Sequence, residues 1–256
     1  MPPSDLETMQ ARDAAAGGAE KRAYVRRIFS EIAPRYDLLN HLLSFNFDRR
    51  WRQRAIERLD PTRRPSGLYV DLCAGTLDVA AELSRTPGFR GLVLGTDFAE
   101  PMLRAGLNKA PRVLVAPVTA DALALPLADN SAAGAIVAFG IRNVASLPAA
   151  LAEVHRVLEP GGRFVILEFS TPRSPVVRGA YHAYFHAVLP TVGRAVSGHR
   201  TAYRYLPESV AVFPVQEELA RAMRDAGFAD VRWESLTFGV AAIHSGDKPG
   251  HARASA

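Results

Sequence analysis

The chain reads as an α/β domain built on a doubly wound, mostly parallel sheet, and three observations carry that reading. Val70-Asp71-Leu72-Cys73-Ala74-Gly75-Thr76-Leu77-Asp78-Val79-Ala80 runs an apolar strand into a glycine-containing turn and then a helix, the opening of a nucleotide-binding βαβ unit. Asp97 closes the next apolar run about 20 residues on, where an acidic side chain can accept hydrogen bonds from a ribose. Apolar runs and helical patterns then alternate as far as Phe169. That alternation puts helices on both faces of a parallel sheet and a ligand at the carboxyl ends of its strands.

The elements follow in order. Residues 22–32 space Val25, Ile28, Phe29 and Ile32 on one helical face, and residues 50–59 form a second helix closed by Pro61. Strands are expected at 67–72, 91–96, 113–116, 133–138 and 163–169, with helices at 77–85, 101–109 and 147–158. Before the fifth strand, Glu159-Pro160-Gly161-Gly162 reads as a turn, with Pro160 at its second position and Gly161 where φ is positive. After Phe169 come a helical insertion at 174–189, a polar aromatic stretch and a helix at 216–226. Two strands near 230–237 and 239–245 then form an antiparallel hairpin at the sheet edge, which brings the total to seven. No repeat or low-complexity linker divides residues 21–247, which read as a single domain; 1–20 read as a disordered leader and 248–256 as a flexible tail.

Composition narrows the class. At 256 residues and 48% hydrophobic, the chain can bury one adequate core. No apolar run reaches the roughly 18–20 residues of a membrane span, and the N-terminal stretch lacks the apolar segment of a secretory signal. The single cysteine, Cys73, excludes an internal disulfide and fits a reducing cytosol, as a small side chain under the turn. The net charge is +5, almost all of it from scattered arginines. No RNA-binding signature accompanies them, so nucleic acid is not an expected partner, whereas peripheral contact with an anionic bilayer is open.

The first turn has one glycine and no G-x-G-x-x-G, so no backbone cradle for a pyrophosphate is visible. A nucleoside without phosphates, such as S-adenosylmethionine, suits it better than NAD. Gly75, Thr76 and the turn amides would hold the methionine end of that cofactor, with Asp71 fixing the turn or reaching the ammonium. Helix capping is the other reading of Thr76. A lone buried Asp97 would be costly without a partner, and the ribose hydroxyls supply one. Asp121 and Ala122, after the third strand, suit an adenine amino group and its ring. Phe139-Gly140-Ile141-Arg142-Asn143-Val144 follows the fourth strand, where chemistry is expected; Arg142 is a permanent cation with five donors. Tyr36-Asp37-Leu38-Leu39-Asn40, with Ser44 and Trp51, concentrates polar groups as a lid would, or a capped turn. His182 and His186 have metal-chelating spacing, but no carboxylate or thiolate is in register. Their aromatic neighbours read as an amphipathic face toward an apolar ligand or membrane, and no metal site is expected.

Two spaced signatures resemble the UbiE/MenG family of quinone-biosynthesis C-methyltransferases, over about Val25 to Ser245. The first runs from Tyr36-Asp37-Leu38-Leu39-Asn40-His41-Leu42-Leu43-Ser44 through Trp51. The second runs from Arg156-Val157-Leu158-Glu159-Pro160-Gly161-Gly162 through Glu168-Phe169-Ser170. Phe139 to Asn143, Tyr203 to Ser209 and Leu236 to Ala241 are also family-like. The resemblance implies a class I, S-adenosylmethionine-dependent, Rossmann-like fold with N-terminal helices and a helical insertion after strand 5. It also implies C-methylation of a polyprenylated quinol. Thr76, Asp97, Asp121 and Ala122 fall at cofactor-contacting positions. Three residues depart from the pattern: Leu77 replaces a second turn glycine, Asp48 a histidine, and Asp121 an asparagine found in many members. Ala74, Leu77 and Asp48 differ from the dual-substrate members, which favours demethylmenaquinol over the benzoquinol precursor of ubiquinone.

In such a reaction Arg142 would stabilise the quinol phenolate but could not be the base, its pKa lying above about 12. Asp37, or a water held by Tyr36, Asn143 or Tyr203, would take the proton. A polyprenyl tail would place the protein in the cytoplasm, transiently at the inner face of the membrane; a homodimer is one assembly left open. The rival readings are a same-fold methyltransferase of a soluble small molecule and a non-catalytic binding module.

Overall fold

The computed structural model describes residues 19–37, 44–184 and 200–250. Seven strands form one sheet in the order β3-β2-β1-β4-β5-β7-β6. The strands β1 (Leu68–Leu72), β2 (Leu92–Asp97), β3 (Val115–Thr119), β4 (Ala132–Ala138) and β5 (Leu158–Phe169) are parallel. The closing pair, β6 (Ala229–Leu236) and β7 (Ala241–Asp247), is antiparallel, with β7 inserted between β5 and β6. The described helices are α1 (Ala19–Ile32), α2 (Phe47–Leu59), α3 (Asp78–Ser84), α4 (Glu100–Gly106), α5 (Leu147–Val157), α6 (Pro175–Ala183), α7 (Arg200–Ala211) and α8 (Gln216–Asp225). The doubly wound sheet, the N-terminal helices and the insertion after β5 are all observed.

The strands are apolar throughout because the sheet is covered on both faces. Successive side chains of β5 alternate: Val165 and Leu167 pack with Leu59, Leu77 and Val93 under α2 and α3. Phe164 and Ile166 pack with Leu151 and Val154 of α5 and with Leu219 and Met223 of α8. Both layers leave the carboxyl edge of the parallel strands free for a ligand.

Three elements differ from the sequence reading. Strand β3 begins at Val115, because the amides of Leu114 and Val115 both donate to the Pro111 carbonyl, and that turn leaves Val113 81% exposed. Strand β5 begins at Leu158. Leu158 pairs with Ala132 and Arg163 with Gly134, so the Pro-Gly-Gly segment is a bulge in a ladder and not a turn between elements. Gly161 does have positive φ (77°), and its amide donates to the Lys248 carbonyl, so the sheet holds the chain as far as Lys248. The polar aromatic stretch is helix α7, whose buried Tyr205 packs on Tyr24 of α1 and whose Val210 packs near Tyr181 of α6. The end of the expected insertion, including His186, lies outside the described residues, as does the side chain of His182.

His244 on β7 is buried, with Nε2 2.9 Å from the Gln216 carbonyl, and burial pushes its imidazole down to about 4. The unfolded chain takes up this proton near pH 6.5, whereas the folded chain does not until about pH 4. Stability is therefore fully present above pH 6.5 and falls as the pH drops through that window, by on the order of 3 kcal/mol. Denaturant unfolding at about pH 7 and about pH 4.5 should show a smaller loss for His244→Gln than for the parent chain.

Candidate active site

The strand order reverses between β1 and β4, and a cleft enclosing about 590 Å³, part of it open to solvent, lies there beyond the strands' carboxyl ends. Each parallel strand from β1 to β4 delivers part of its lining. Cys73 and Gly75 follow β1, Asp97 and Phe98 end β2, Asp121 and Ala122 follow β3, and Phe139, Gly140 and Asn143 follow β4. Arg22 and Phe29 of α1, with Tyr36 just beyond it, form a further wall.

The β1–α3 turn holds three left-handed residues, Cys73 (φ 51°), Gly75 (52°) and Leu77 (65°). It is fastened from below by two buried carboxylates. Asp71 Oδ2 accepts from the Ala80 amide at 3.0 Å, and Asp97 accepts from the amides of Gly75 (2.9 Å) and Ala99 (2.8 Å). Burial raises the pKa of both. Asp71 thus fixes the turn and the start of α3. It does not line the cavity, which removes the ammonium contact from its expected roles.

Leu77 shows why its position favours glycine: it adopts the left-handed conformation all the same. Its side chain is 2% exposed and occupies space left by Gly95, where a Cβ would lie 2.5 Å from Leu77 Cδ2. Leu77→Gly would relieve about 1–2 kcal/mol of backbone strain. It would also forfeit about 2–5 kcal/mol of side-chain burial. The larger effect wins, so thermal unfolding should show a less stable protein.

Thr76 does not cap α3 and does not line the cavity. Its hydroxyl donates to Asp37 Oδ1 and accepts from Lys109 Nζ at 2.8 Å, and Lys109 also meets Asp37 Oδ2 and Asp78 Oδ1, each at 2.6 Å. Asp37 is therefore held by a lysine and a hydroxyl, which is the wrong setting for a free base. Asp48 is structural. It is buried, pairs with Arg52 at 2.6 Å and accepts from Ser44 Oγ at 2.5 Å. Arg52 continues the network to Glu82 (3.1 Å) and Asp78 (3.6 Å).

Arg142 is only 8% exposed and is absent from the cavity wall. Its Nη1 donates to Glu168 Oε1 at 2.7 Å and to the Phe139 carbonyl, its Nε to Ser209 Oγ at 3.3 Å, and its Cζ lies 5.4 Å from the Phe169 ring centre. The expected direct contact with a phenolate gives way to a buried ion pair. Burial raises the Glu168 pKa, and Arg142 is the main opposing influence. Asn143 does line the cavity, and its buried Oδ1 has no hydrogen-bond partner among the described residues. Tyr36 lines it as well, edge-on to Phe29 at 5.9 Å. Asp121 Oδ1 accepts from the Leu123 amide at 3.0 Å, and Oδ2 lies 3.2 Å from Arg22 Nη2. Tyr203 belongs to α7, but its side chain lies outside the described residues.

Sequence reasoning missed Glu168, Lys109 and the part of the wall that Arg22 and Phe29 of α1 supply beside Tyr36. Glu168 had a visible signal, an acidic residue ending an apolar strand as Asp97 does. Arg22, Phe29 and Tyr36 recur at intervals of seven, the spacing of one helical face. Arg142→Ala should cost about 3–5 kcal/mol in denaturant unfolding, because it strands a buried carboxylate. Arg142→Met combined with Glu168→Leu should regain most of that loss.

The residues fit a nucleoside cofactor. Asp97 keeps free lone pairs beside the cavity, and an unpartnered Asn143 Oδ1 implies a missing donor. A Cβ on Gly140 would lie 2.3 Å from Cys73 Cβ, so only glycine lets the β4 loop close on the β1 turn. The strand order and crevice define a class I, S-adenosylmethionine-dependent methyltransferase fold. Two solved structures share it: a Thermotoga maritima SAM-dependent methyltransferase, described as a possible histamine N-methyltransferase (TM-score 0.61, 22% identity, 87% of this chain and 98% of that one), and the [4+2]-cyclase SpnF (0.64, 18%, 88% and 96%). The sequence model of the ubiE/COQ5 methyltransferase family matches residues 18–248, and the chain belongs to that family. It is 51% identical to a Thermus thermophilus demethylmenaquinone methyltransferase over 225 residues, 87% of this chain and all of that one. It is 44% identical over 235 residues to a Geobacter sulfurreducens ubiquinone/menaquinone biosynthesis C-methyltransferase, covering 90% of each.

Proposed function

We propose that this methyltransferase transfers the methyl group of S-adenosylmethionine to a ring carbon of a polyprenylated quinol, demethylmenaquinol foremost. The observation that carries the reading is the mixed lining of one cavity: Asp97, Asp121 and Gly75 bring carboxylates and a turn, and Phe29, Tyr36 and Phe139 bring rings, so one space suits a polar nucleoside and a flat apolar ring. The names of the relatives, which include both demethylmenaquinone and ubiquinone/menaquinone methyltransferases, support the same substrate class.

When bound, the sulfonium supplies an electrophilic methyl. The chain must do the rest. Asp97 would accept from the ribose hydroxyls, and Asp121 and Ala122 would hold the adenine. Gly75 lets the turn approach the methionine end, while Thr76 and Asp71 hold that turn from outside the cavity. The ring carbon becomes nucleophilic once the quinol hydroxyl loses its proton. Asn143 Oδ1 would accept a hydrogen bond from that hydroxyl, or from the water that takes its proton on to bulk solvent, beside the Tyr36 ring. Asp37 acts through Thr76 and Lys109, fixing the turn. Arg142 acts from behind: paired with Glu168, it donates to the Phe139 carbonyl and holds the Phe139–Asn143 loop in place.

A prenyl tail cannot sit in water, so the protein works transiently at the inner face of the membrane. No helix among the described residues is long and apolar enough to cross a membrane. Methyl transfer from labelled cofactor to reduced short-tail acceptors tests the assignment. Product from the naphthoquinol alone fits menaquinone synthesis, and product from the benzoquinol as well makes the enzyme dual. Neither product, with cofactor bound, favours a soluble substrate. Asp97→Asn should weaken cofactor binding in calorimetry by about tenfold or more, through loss of a charged acceptor.

A further inference from the structure

Two turns present phenylalanines to solvent in an unusual way. Phe45 is 71% exposed with φ 51°, and Phe238 is 83% exposed with φ 57°. Bulky residues avoid this left-handed region, and a ring left in water does not offset the strain. The Phe238 turn is fastened to the helix that follows Phe45: Trp51 Nε1 of α2 donates to Thr237 Oγ1 at 2.9 Å, and Thr237 is itself left-handed (φ 45°). Phe45 also lies 6.0 Å from Tyr184, the residue that follows α6, and Val176 on that helix is 82% exposed. The same two helices carry cations: Arg49 and Arg50 at the start of α2 and Arg178 on α6 are exposed and without an ion-pair partner among the described residues.

Behind the tips runs a column of rings. Phe47 stacks on Trp51 at 6.1 Å, Trp51 lies 6.0 Å from Phe139 and 6.5 Å from Phe169, and Phe139 and Phe169 are 4.7 Å apart. Phe139 is a wall of the cavity. The column therefore joins the exposed tips to the place where a quinol ring would sit.

We propose that the Phe45 and Phe238 tips insert into an anionic bilayer and so hold the Phe139 wall of the cavity close to the lipid from which the quinol comes. The proposal rests on the polyprenyl-quinol reading. Exposed rings supply the apolar anchor, and the unpaired arginines meet lipid phosphates, the combination that holds proteins at membrane surfaces.

The test uses the full chain and a Phe45→Asn, Phe238→Asn double variant, since asparagine accepts left-handed backbone and removes both rings. The variant's melting temperature should be unchanged or higher. Its partitioning to phosphatidylglycerol vesicles should fall by about tenfold or more. Turnover of a long-tail quinol embedded in those vesicles should fall with it, mainly through KM, while a tail-less quinol in solution is methylated at the parental rate. Equal vesicle binding and equal embedded-substrate turnover would overturn the proposal and leave the function intact. A parent chain that methylates no quinol overturns the functional reading, and the proposal with it. A parent dimer dissolved by the substitutions, with no vesicle binding, would assign the face to a protein contact and overturn the proposal.

Discussion

The site depends on one buried carboxylate. Asp97 ends β2 and accepts amides from two different turns, Gly75 after β1 and Ala99 before α4, so a single side chain sets the spacing of two walls of the cavity. The arrangement is costly, because burial resists the charge, and backbone donors are what oppose that resistance. The carboxylate still has acceptor capacity on the side facing the cavity. A ribose placed there adds donors to an ion that the fold has desolvated. Scaffold and ligand therefore meet at the same atoms. Asp71 repeats the logic one strand over, directing its charge to the Ala80 amide, and for that reason stays outside the ligand's reach.

A second polar layer lies outside the turn. Lys109 joins Asp37, Thr76 and Asp78, and Arg52 joins Asp78, Glu82 and Asp48. Buried and half-buried ion pairs add little net stability, since desolvation offsets their attraction. Their value here is positional. Asp78 is shared, so α2, α3 and the segment at Asp37 are referred to one another through one carboxylate. Asp48 belongs to this layer, and a carboxylate there suits Arg52, whereas a histidine would lack the charge.

Much of this was legible because parallel strands bury both faces and leave continuous apolar runs with periodic helices between them. Asp97, Gly75, Asp121, Ala122 and Asn143 were read from their places beyond the strand ends and Tyr36 from the polar composition of its segment, and all meet at one cavity. What escaped was set by contacts distant in sequence. Arg142 looked like a free cation because Glu168 is 26 residues away and becomes its neighbour only when β5 pairs with β4. Asp37 looked like a base because Lys109 arrives from another element. The start of β5 was misjudged because a Pro-Gly-Gly bulge has the same composition as a turn. Helix α7 was missed because Pro207 and its polar residues obscure a narrow apolar face formed by Tyr205 and Val210.

Backbone strain separates scaffold from working surface. Ten non-glycine residues among those described have positive φ, and seven of them fall in two places. Cys73, Leu77 and Phe139 lie in the turns around the cavity, and Phe45, Asn46, Thr237 and Phe238 form the paired tips. At the cavity the strain is offset by packing, as Leu77 shows against Gly95. At the tips the rings of Phe45 and Phe238 stay exposed, and the strain is sustained by turn hydrogen bonds, the Phe47 amide to the Ser44 carbonyl and the Val240 amide to the Thr237 carbonyl, with Trp51 donating to Thr237. Trp51 touches both regions, donating to Thr237 and packing on Phe139. This one buried indole links the Thr237 turn to the wall where the acceptor ring would lie.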